Sequence, residues 1–443
     1  MTAAVPVAVE AGSGARLGLQ LRRAGLRLVL GRGFERALDE FGASQWLPAD
    51  VVRERQWTRL REVVSTAYGL SSLYRERLDE AGWPAMTPET FRRLRPLDRG
   101  DLERLSHELA RRRAAGLWRT SGGTGGSAVT VSFDRRAYGW YVAGTSRGLG
   151  WWGVDLSRRG VLLLGRSARS PLTAAAAWVK DWAMNWRRIP VDVSFDAHLS
   201  AVIERIDAWQ PAFLYGYPSA VFPLARLLRE RRAEMKRPPL VVVLTGEPVY
   251  AFQRETIEAA FGCRVAREYG SGELGCVAFE CPAGRLHVNA ETVLLERNAN
   301  GEGGGAGRLL ATHLRNATFP LIRYDTGDLG TVETVPCACG RSLPVVDVAG
   351  RARERTARAG GETPPDGLFG ALPERLRGRV QVAYEAPGVL TLRVEGGAGP
   401  ELDAVADAGR QAVGPGWRVR ACAVGRLGRL SSGKLPYVVD GSR

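Results

Sequence analysis

The sequence predicts a mixed α/β protein of two units, a large one built on helix-flanked sheets and a small α+β one after about residue 350. Three observations carry this expectation. Short apolar runs alternate with amphipathic ones between Val161 and Glu268, strand-like runs with glycine-rich turns fill 285–335, and residues 350–367 turn to arginine, glycine and proline.

The elements follow in order. From Trp46 to about Leu109 apolar residues recur at spacings of three and four, which predicts an all-helical layer. Next comes RTSGGTGGSAVTVSFD at 119–134, where glycines and small hydroxyl residues precede a valine and threonine alternation. Such a loop lets backbone amides approach a phosphate closely, although a flexible hairpin tip has the same composition. A Walker-type loop is excluded because no lysine followed by serine or threonine closes it.

Strands are expected at 161–164, 212–217, 240–246 and 263–270, with helices at 197–209, 219–234 and 250–261 between them. Ligands of such sheets sit beyond the carboxyl ends of the strands, where GYPS (216–219), TGEP (245–248) and EYGSGE (268–273) fall. Trp178, Trp182 and Trp186 are spaced as one helix face, a core or interface pattern. Residues 285–335 read as antiparallel strands around the hairpin loop NANGEGGGAG. The last unit, 351–443, is expected to hold a hairpin in VQVAYEAPGVLTLRV, a helix at 401–413 and a strand at 417–424.

Composition narrows the function classes. A chain of 443 residues with 45% apolar content buries a sizeable core, and its apolar runs fall far short of the roughly 20 residues of a membrane-spanning helix. The N-terminus lacks a secretory pattern and six scattered cysteines make no disulfide framework, so a cytoplasmic location is expected. The net charge is +15, but 59 of the 62 basic residues are arginines spread along the chain, which argues against a nucleic-acid stripe. The three lysines, Lys180, Lys236 and Lys434, therefore stand out.

TSGGTGG (120–126), TGEPV (245–249), EYGSGE, YDTGDLG (324–330), GR (350–351) and GK (433–434) occur in this order. Together they resemble the adenylate-forming superfamily of acyl-CoA synthetases, adenylation domains and luciferases. LYGYPSAVFPLARLL, FEC before GRLHVNAE, and CACGRSLP make the chain most similar to the phenylacetate-CoA ligase and CapK-like branch. The resemblance spans roughly 50–440.

It implies a large adenylate-forming domain (1–350) with a barrel-like subdomain, a mobile lid (351–443), ATP and Mg2+ as cofactors, and a carboxylic acid as substrate. Thr120, Ser121, Gly122, Thr124 and Gly125 would wrap the phosphates, with Gly246, Glu247 and Pro248, and Glu268, Tyr269, Gly270 and Ser271, completing the nucleotide site. Tyr269 would pack on adenine, Glu273 would hold magnesium, Asp328 would accept from the ribose hydroxyls, and Arg351 would approach the ribose at the domain boundary. Lys434 would be the catalytic lysine, with Glu273 and Thr120 also at the reacting phosphates. Tyr215, Gly216, Tyr217 and Pro218 would line the acid pocket. Departures from the family pattern are Ser127 and Ala128 in place of proline and lysine, Gly272 in place of threonine, and Arg353 at the usual hinge position.

The chemistry gives Lys434 a reason: attack of a carboxylate on the α-phosphate joins two anions and calls for a compact cation. The acyl acceptor implied by the resemblance is coenzyme A, with a carrier-protein thiol or an amine as rivals. A non-catalytic basic binding protein or a decayed paralogue is the rival of another class. Separately, Cys281, His287, Cys337 and Cys339 suit a tetrahedral structural zinc, against the alternative of packed free thiols. Cys276 is the competing ligand, Cys263 and Cys422 read as strand residues, and His107, His198 and His313 as surface or packing histidines.

Overall fold

The computed structural model describes residues 13–111, 117–120, 130–155, 158–165, 171–192, 194–298, 305–351, 365–386, 388–430 and 432–440. Helices α1 (Ser13–Leu30), α2 (Arg32–Ser44), α3 (Ala49–Leu70), α4 (Ser72–Ala81), α5 (Pro88–Arg93) and α6 (Arg99–Arg111) precede the first strand. The helical layer thus begins well before Trp46. Its earlier part has a clear physical cause: Phe34, Ala37 and Phe41, spaced by three and four, are the buried face of α2. That face packs on α7 (Arg135–Gly150), whose Gly139 has room for no side chain: a Cβ there would sit 2.7 Å from the Phe34 amide nitrogen.

β1 (Leu117–Thr120) and β2 (Thr130–Phe133) form a two-stranded antiparallel hairpin sheet with Thr120 opposite Thr130. Ser121, Gly122, Thr124 and Gly125 lie outside the described residues. The hairpin context nevertheless means that the glycine-rich segment joins two paired strands, as a strand following it predicts.

The parallel strands are β3 (Gly160–Leu164), β4 (Trp186–Pro190), β5 (Phe213–Gly216), β6 (Val241–Thr245) and β7 (Arg264–Ser271). Between them run α8 (Pro171–Ala183), α9 (Leu199–Trp209), α10 (Pro218–Glu230) and α11 (Ala251–Phe261). Every residue of β6 is buried, the pattern of a strand covered on both faces. The tryptophan face does not form as spaced. α8 ends at Ala183, Asn185 turns the chain at φ 59°, and Trp186 opens β4, while Trp178 and Trp182 are exposed.

β8 (Gly275–Glu280), β9 (Leu286–Val288), β10 (Val293–Asn298), β11 (Gly307–His313), β12 (Tyr324–Glu333) and β13 (Val345–Arg351) are antiparallel to their neighbours. They continue the parallel strands as one 11-stranded sheet, β10-β11-β12-β13-β9-β8-β7-β6-β5-β3-β4, so the part expected as a barrel-like subdomain shares a sheet with the rest. His313 of β11 is a packing residue: burial pushes its imidazole down to about 4 and keeps it neutral.

α12 (Pro365–Ala371), α13 (Glu374–Arg377), β14 (Val380–Ala386), β15 (Val389–Glu395), α14 (Pro400–Val413), β16 (Arg418–Val424) and β17 (Val438–Asp440) make the smaller unit, whose sheet runs β16-β15-β14-β17. It meets the larger unit through aromatic rings. Phe369 lies 4.9 Å from Tyr250 and 5.2 Å from Phe252, centroid to centroid, and Tyr437 joins the same cluster. Gly378 permits this contact, since a Cβ would fall on the ring of Phe222. Among the described residues no helix is long and apolar enough to cross a membrane.

Candidate functional site

The carboxyl ends of β5, β6 and β7 and the facing strand β12 bring most of the expected residues into one crevice. Tyr269 on β7 donates its hydroxyl to Asp328 Oδ2 at 2.8 Å. Asp328 Oδ1 pairs with Arg351 Nε at 3.1 Å, and the register of β12 on β13 sets Asp328 directly opposite Arg351. The Arg351 guanidinium also donates to Thr326 O at 3.1 Å. Burial raises the Asp328 carboxyl above its ordinary range despite the opposing pull of Arg351 and Tyr269. A carboxylate has about four acceptor positions, so these two partners leave room for more.

Glu273 is buried in the turn between β7 and β8, and its charge raises the Tyr324 phenol, after burial itself. Gly270 and Ser271 shape that turn. A Cβ on Gly270 would collide with the Gly275 carbonyl, and Ser271 Oγ accepts from the Leu274 amide at 3.2 Å. Glu268, one residue before Tyr269, instead points into a closed polar network. It accepts from Tyr215 Oη at 2.6 Å and Thr145 Oγ1 at 3.0 Å, and burial raises its carboxyl. Tyr215 is thereby held by Glu268, and Gly216 is packed so that a Cβ would meet Leu163 at 2.7 Å.

Lys434 reaches this crevice from the smaller unit. Its ammonium donates to Gly246 O at 2.6 Å and lies 5.5 Å from the centre of the Tyr217 ring. Gly246 has φ +75°, and a Cβ on it would stand 3.0 Å from Tyr217 and 3.3 Å from Lys434 Nζ, so glycine is required twice over. Burial lowers the Lys434 pKa; Glu247, Glu273 and Asp328 oppose this and Arg351 adds to it, so these charges share the lysine's surroundings. The other two lysines are ordinary: Lys180 pairs with Asp181 and Lys236 with Asp207.

Glu247 does not face open solvent. Its carboxylate accepts from the Ser219 amide at 2.9 Å, the Ser219 hydroxyl at 2.8 Å and the Leu435 amide at 3.0 Å, and therefore grips the turn that carries Lys434. Pro218 is buried at the start of α10, where its missing N–H is no loss, and Pro248 is exposed. Thr120 is placed at the end of β1, where its backbone pairs with Thr130.

The four cysteine and histidine residues converge. Cys281 follows β8, His287 lies on β9 beside β13, and Cys337 and Cys339 sit in the turn after β12; their donor atoms all lie within 4.8 Å of one another. Cys281 Sγ and Cys337 Sγ are 3.8 Å apart, and Cys339 Sγ is 3.2 Å from His287 Nε2. A tetrahedron with zinc–sulfur arms of about 2.3 Å has edges of about 3.8 Å. His287 Nδ1 bonds Leu343 O at 3.1 Å, which turns Nε2 toward the thiols, and burial lowers its pKa and favours the neutral ligand form. Cys276 stays outside the group, its thiol directed at Ala278 O.

Residues that sequence reasoning passed over are Thr145 beneath Glu268, and Asp196 and Arg429, which join the two units through bonds of 2.7 and 2.9 Å. Nothing in their local sequence separates them from other polar residues.

No family model matches the chain. It is 29% identical over 131 residues to protein CapK of Staphylococcus aureus, a match covering 30% of this chain and 29% of that protein. It is 26% identical over 317 residues to the phenylacetate-coenzyme A ligase of Thermus thermophilus, covering 67% of this chain and 69% of the ligase. Among solved structures, 2-hydroxyisobutyryl-CoA ligase in its postadenylation state with R3-HIB-AMP superposes with a TM-score of 0.72 at 18% identity, over 90% of this chain and 91% of that one. The same ligase in its thioesterification state gives 0.60 over the same shares, at 19% identity. The chain therefore has the fold of 2-hydroxyisobutyryl-CoA ligase and is similar in sequence to a phenylacetate-coenzyme A ligase over two thirds of its length.

Proposed function

We propose that the protein activates a carboxylic acid with ATP, forms an acyl-adenylate with release of pyrophosphate, and passes the acyl group to the thiol of coenzyme A. In the first step a carboxylate oxygen of the acid bonds to the α-phosphorus as the bond to the bridging oxygen breaks, and pyrophosphate leaves with that electron pair. In the second, the thiol sulfur bonds to the acyl carbon, AMP leaves, and the thiol proton is released.

Asp328 accepts from the ribose hydroxyls, with Arg351 beside it, and Tyr269 packs against the adenine. Residues 120–125 hold the phosphates, and Tyr217 with Pro218 borders the acid; Tyr215 and Glu268 form the polar floor behind them. Glu273 holds magnesium, an oxygen-seeking ion that neutralises phosphate charge when bound. Lys434 places its ammonium where the attacking carboxylate and the α-phosphate meet. Cys281, His287, Cys337 and Cys339 hold a structural zinc that ties the turn after β12 to β8 and β9.

The observation that carries this reading is the arrival of Lys434, from the segment between β16 and β17 of the smaller unit, in the crevice lined by Asp328, Tyr269 and Glu273. Its test is ATP–pyrophosphate exchange across aryl, fatty and hydroxy acids, followed by thioester formation with coenzyme A. At least one class is expected to support both; exchange with none of them refutes the reading. Exchange that yields thioester only on a carrier protein, or an amide, would replace coenzyme A as the acceptor.

A further inference from the structure

Arg429 lies on the smaller unit, five residues before Lys434, and its side chain is only 2% exposed. All five of its N–H groups are used. Nε and Nη2 grip the carboxylate of Asp196 at 2.9 and 2.7 Å, and Nη2 also donates to Ser219 O at 2.7 Å. Nη1 donates to Ser219 Oγ at 3.2 Å and to Gly433 O at 3.0 Å. Four of these five bonds end on the larger unit, and the fifth ends on the residue next to Lys434. A planar fork fully paired in this way fixes both position and orientation.

The rest of the turn is equally constrained. Leu430 N bonds Lys434 O and Gly433 N bonds Leu430 O, both at 2.8 Å, so Leu430, Gly433 and Lys434 are tied to one another. Gly433 adopts φ +84°, and a Cβ there would strike the Val191 carbonyl; a Cβ on Gly165 would strike the Ser432 carbonyl. Beyond Lys434, the Leu435 amide is taken by Glu247. Lys434 is therefore bracketed, by Arg429 on one side and Leu435 on the other, and both brackets close on Ser219, whose hydroxyl serves Glu247 and Arg429 alike. Arg426 adds a second cation 3.4 Å from Asp196.

We infer that Asp196, Arg429, Ser219 and Glu247 form a latch between the two units that registers Lys434 for adenylation and must open before acyl transfer. This rests on the adenylation reading above. Asp196 and Arg429 touch no reacting atom in it; they are positioning residues. Breaking the latch removes the register of the lysine without altering the crevice, so the two half-reactions respond differently.

The experiment compares Asp196→Asn, Arg429→Ala and Arg429→Lys with the unaltered protein in three measurements: ATP–pyrophosphate exchange, acyl transfer to coenzyme A from a synthetic acyl-adenylate, and small-angle X-ray scattering. Asp196→Asn and Arg429→Ala are expected to lower exchange kcat on the order of tenfold or more, as loss of charged hydrogen bonds implies, with KM for ATP within about twofold. Arg429→Lys, which keeps the charge but not the fork, is expected to recover part of the rate. Transfer from the preformed adenylate persists, which also shows that the variants fold, and the radius of gyration rises. Exchange unchanged, or both half-reactions falling together, overturns the latch. If the unaltered protein exchanges with no acid, the adenylation reading fails and the latch's role in registering Lys434 falls with it; scattering then tests the contact between the units alone, and an unchanged radius of gyration in the variants overturns that as well.

Discussion

Replacing Asp328 by asparagine isolates the nucleotide-binding role proposed for the crevice. The substitution keeps the shape and one acceptor oxygen and removes the charge. Because burial already raises the Asp328 carboxyl, the charged form is held at a cost that asparagine does not carry. The lost ion pair with Arg351, whose side chain is 49% exposed, contributes about 0.2–1 kcal/mol after solvent screening. Folding should therefore survive, with the thermal midpoint moving by no more than about 3 °C. Binding of ATP should suffer far more: each hydrogen bond from a ribose hydroxyl to a charged acceptor is worth about 1.5–3 kcal/mol, so KM for ATP should rise about 10- to 150-fold. The assay is exchange kinetics with ATP and with 2′,3′-dideoxy-ATP, for the unaltered protein and the variant, read as a double-mutant cycle. If Asp328 holds the ribose, the dideoxy nucleotide is penalised strongly in the unaltered protein and markedly less in Asp328→Asn, whose one remaining acceptor oxygen is neutral. An undiminished dideoxy penalty in the variant would refute the assignment.

Three other outcomes are expected. Metal analysis of protein purified without a histidine tag should return about one zinc per chain, and Cys337→Ser should lower both zinc content and thermal midpoint; metal-free protein of full stability would show the four residues to be merely packed. Lys434→Ala should reduce exchange by about 10²- to 10³-fold, the range for removing one transition-state charge partner. Since burial lowers the Lys434 pKa from 10.5, exchange should decline with rising pH below that value as the ammonium loses its proton. Lys434→Arg should abolish that alkaline limb, and its persistence there would assign it to another group.

Much of the crevice was legible because its residues lie in short motifs at the carboxyl ends of predicted strands. EYGSGE is a local pattern, and a strand–turn–helix alternation is enough to place it with GYPS and TGEP on one side of a sheet, whereas YDTGD opens the antiparallel β12 and is brought there by pairing with β11 and β13. Composition narrowed the lysine to three candidates, and the GK motif at 433–434 was needed to single out Lys434, since Lys180 and Lys236 only pair with aspartates. The cysteine and histidine spacing was visible, but the convergence depends on His287 pairing across β9 and β13 with Val345, a register that no spacing encodes. Asp196 and Arg429 were not legible at all. They are 233 positions apart, and one arginine among 59 carries no signal until the second sheet is docked. The tryptophan spacing misled for the opposite reason, since a period of four persists past the end of α8 although Asn185 turns the backbone out of the helix.

Phe369, Tyr437, Tyr250 and Phe252 give the smaller unit a dry bearing. Each large ring withdrawn from water is worth about 1.5–3 kcal/mol, and Phe369 is wholly enclosed. A swing that pulled these rings apart would wet several of them at once, whereas a turn about an axis through the cluster leaves them covered. For the proposed lid, the cheapest motion would therefore be that of a door on a greasy pivot, with the inferred catch at Asp196 as its free edge, and travel at Lys434 would be gained without exposing the bearing.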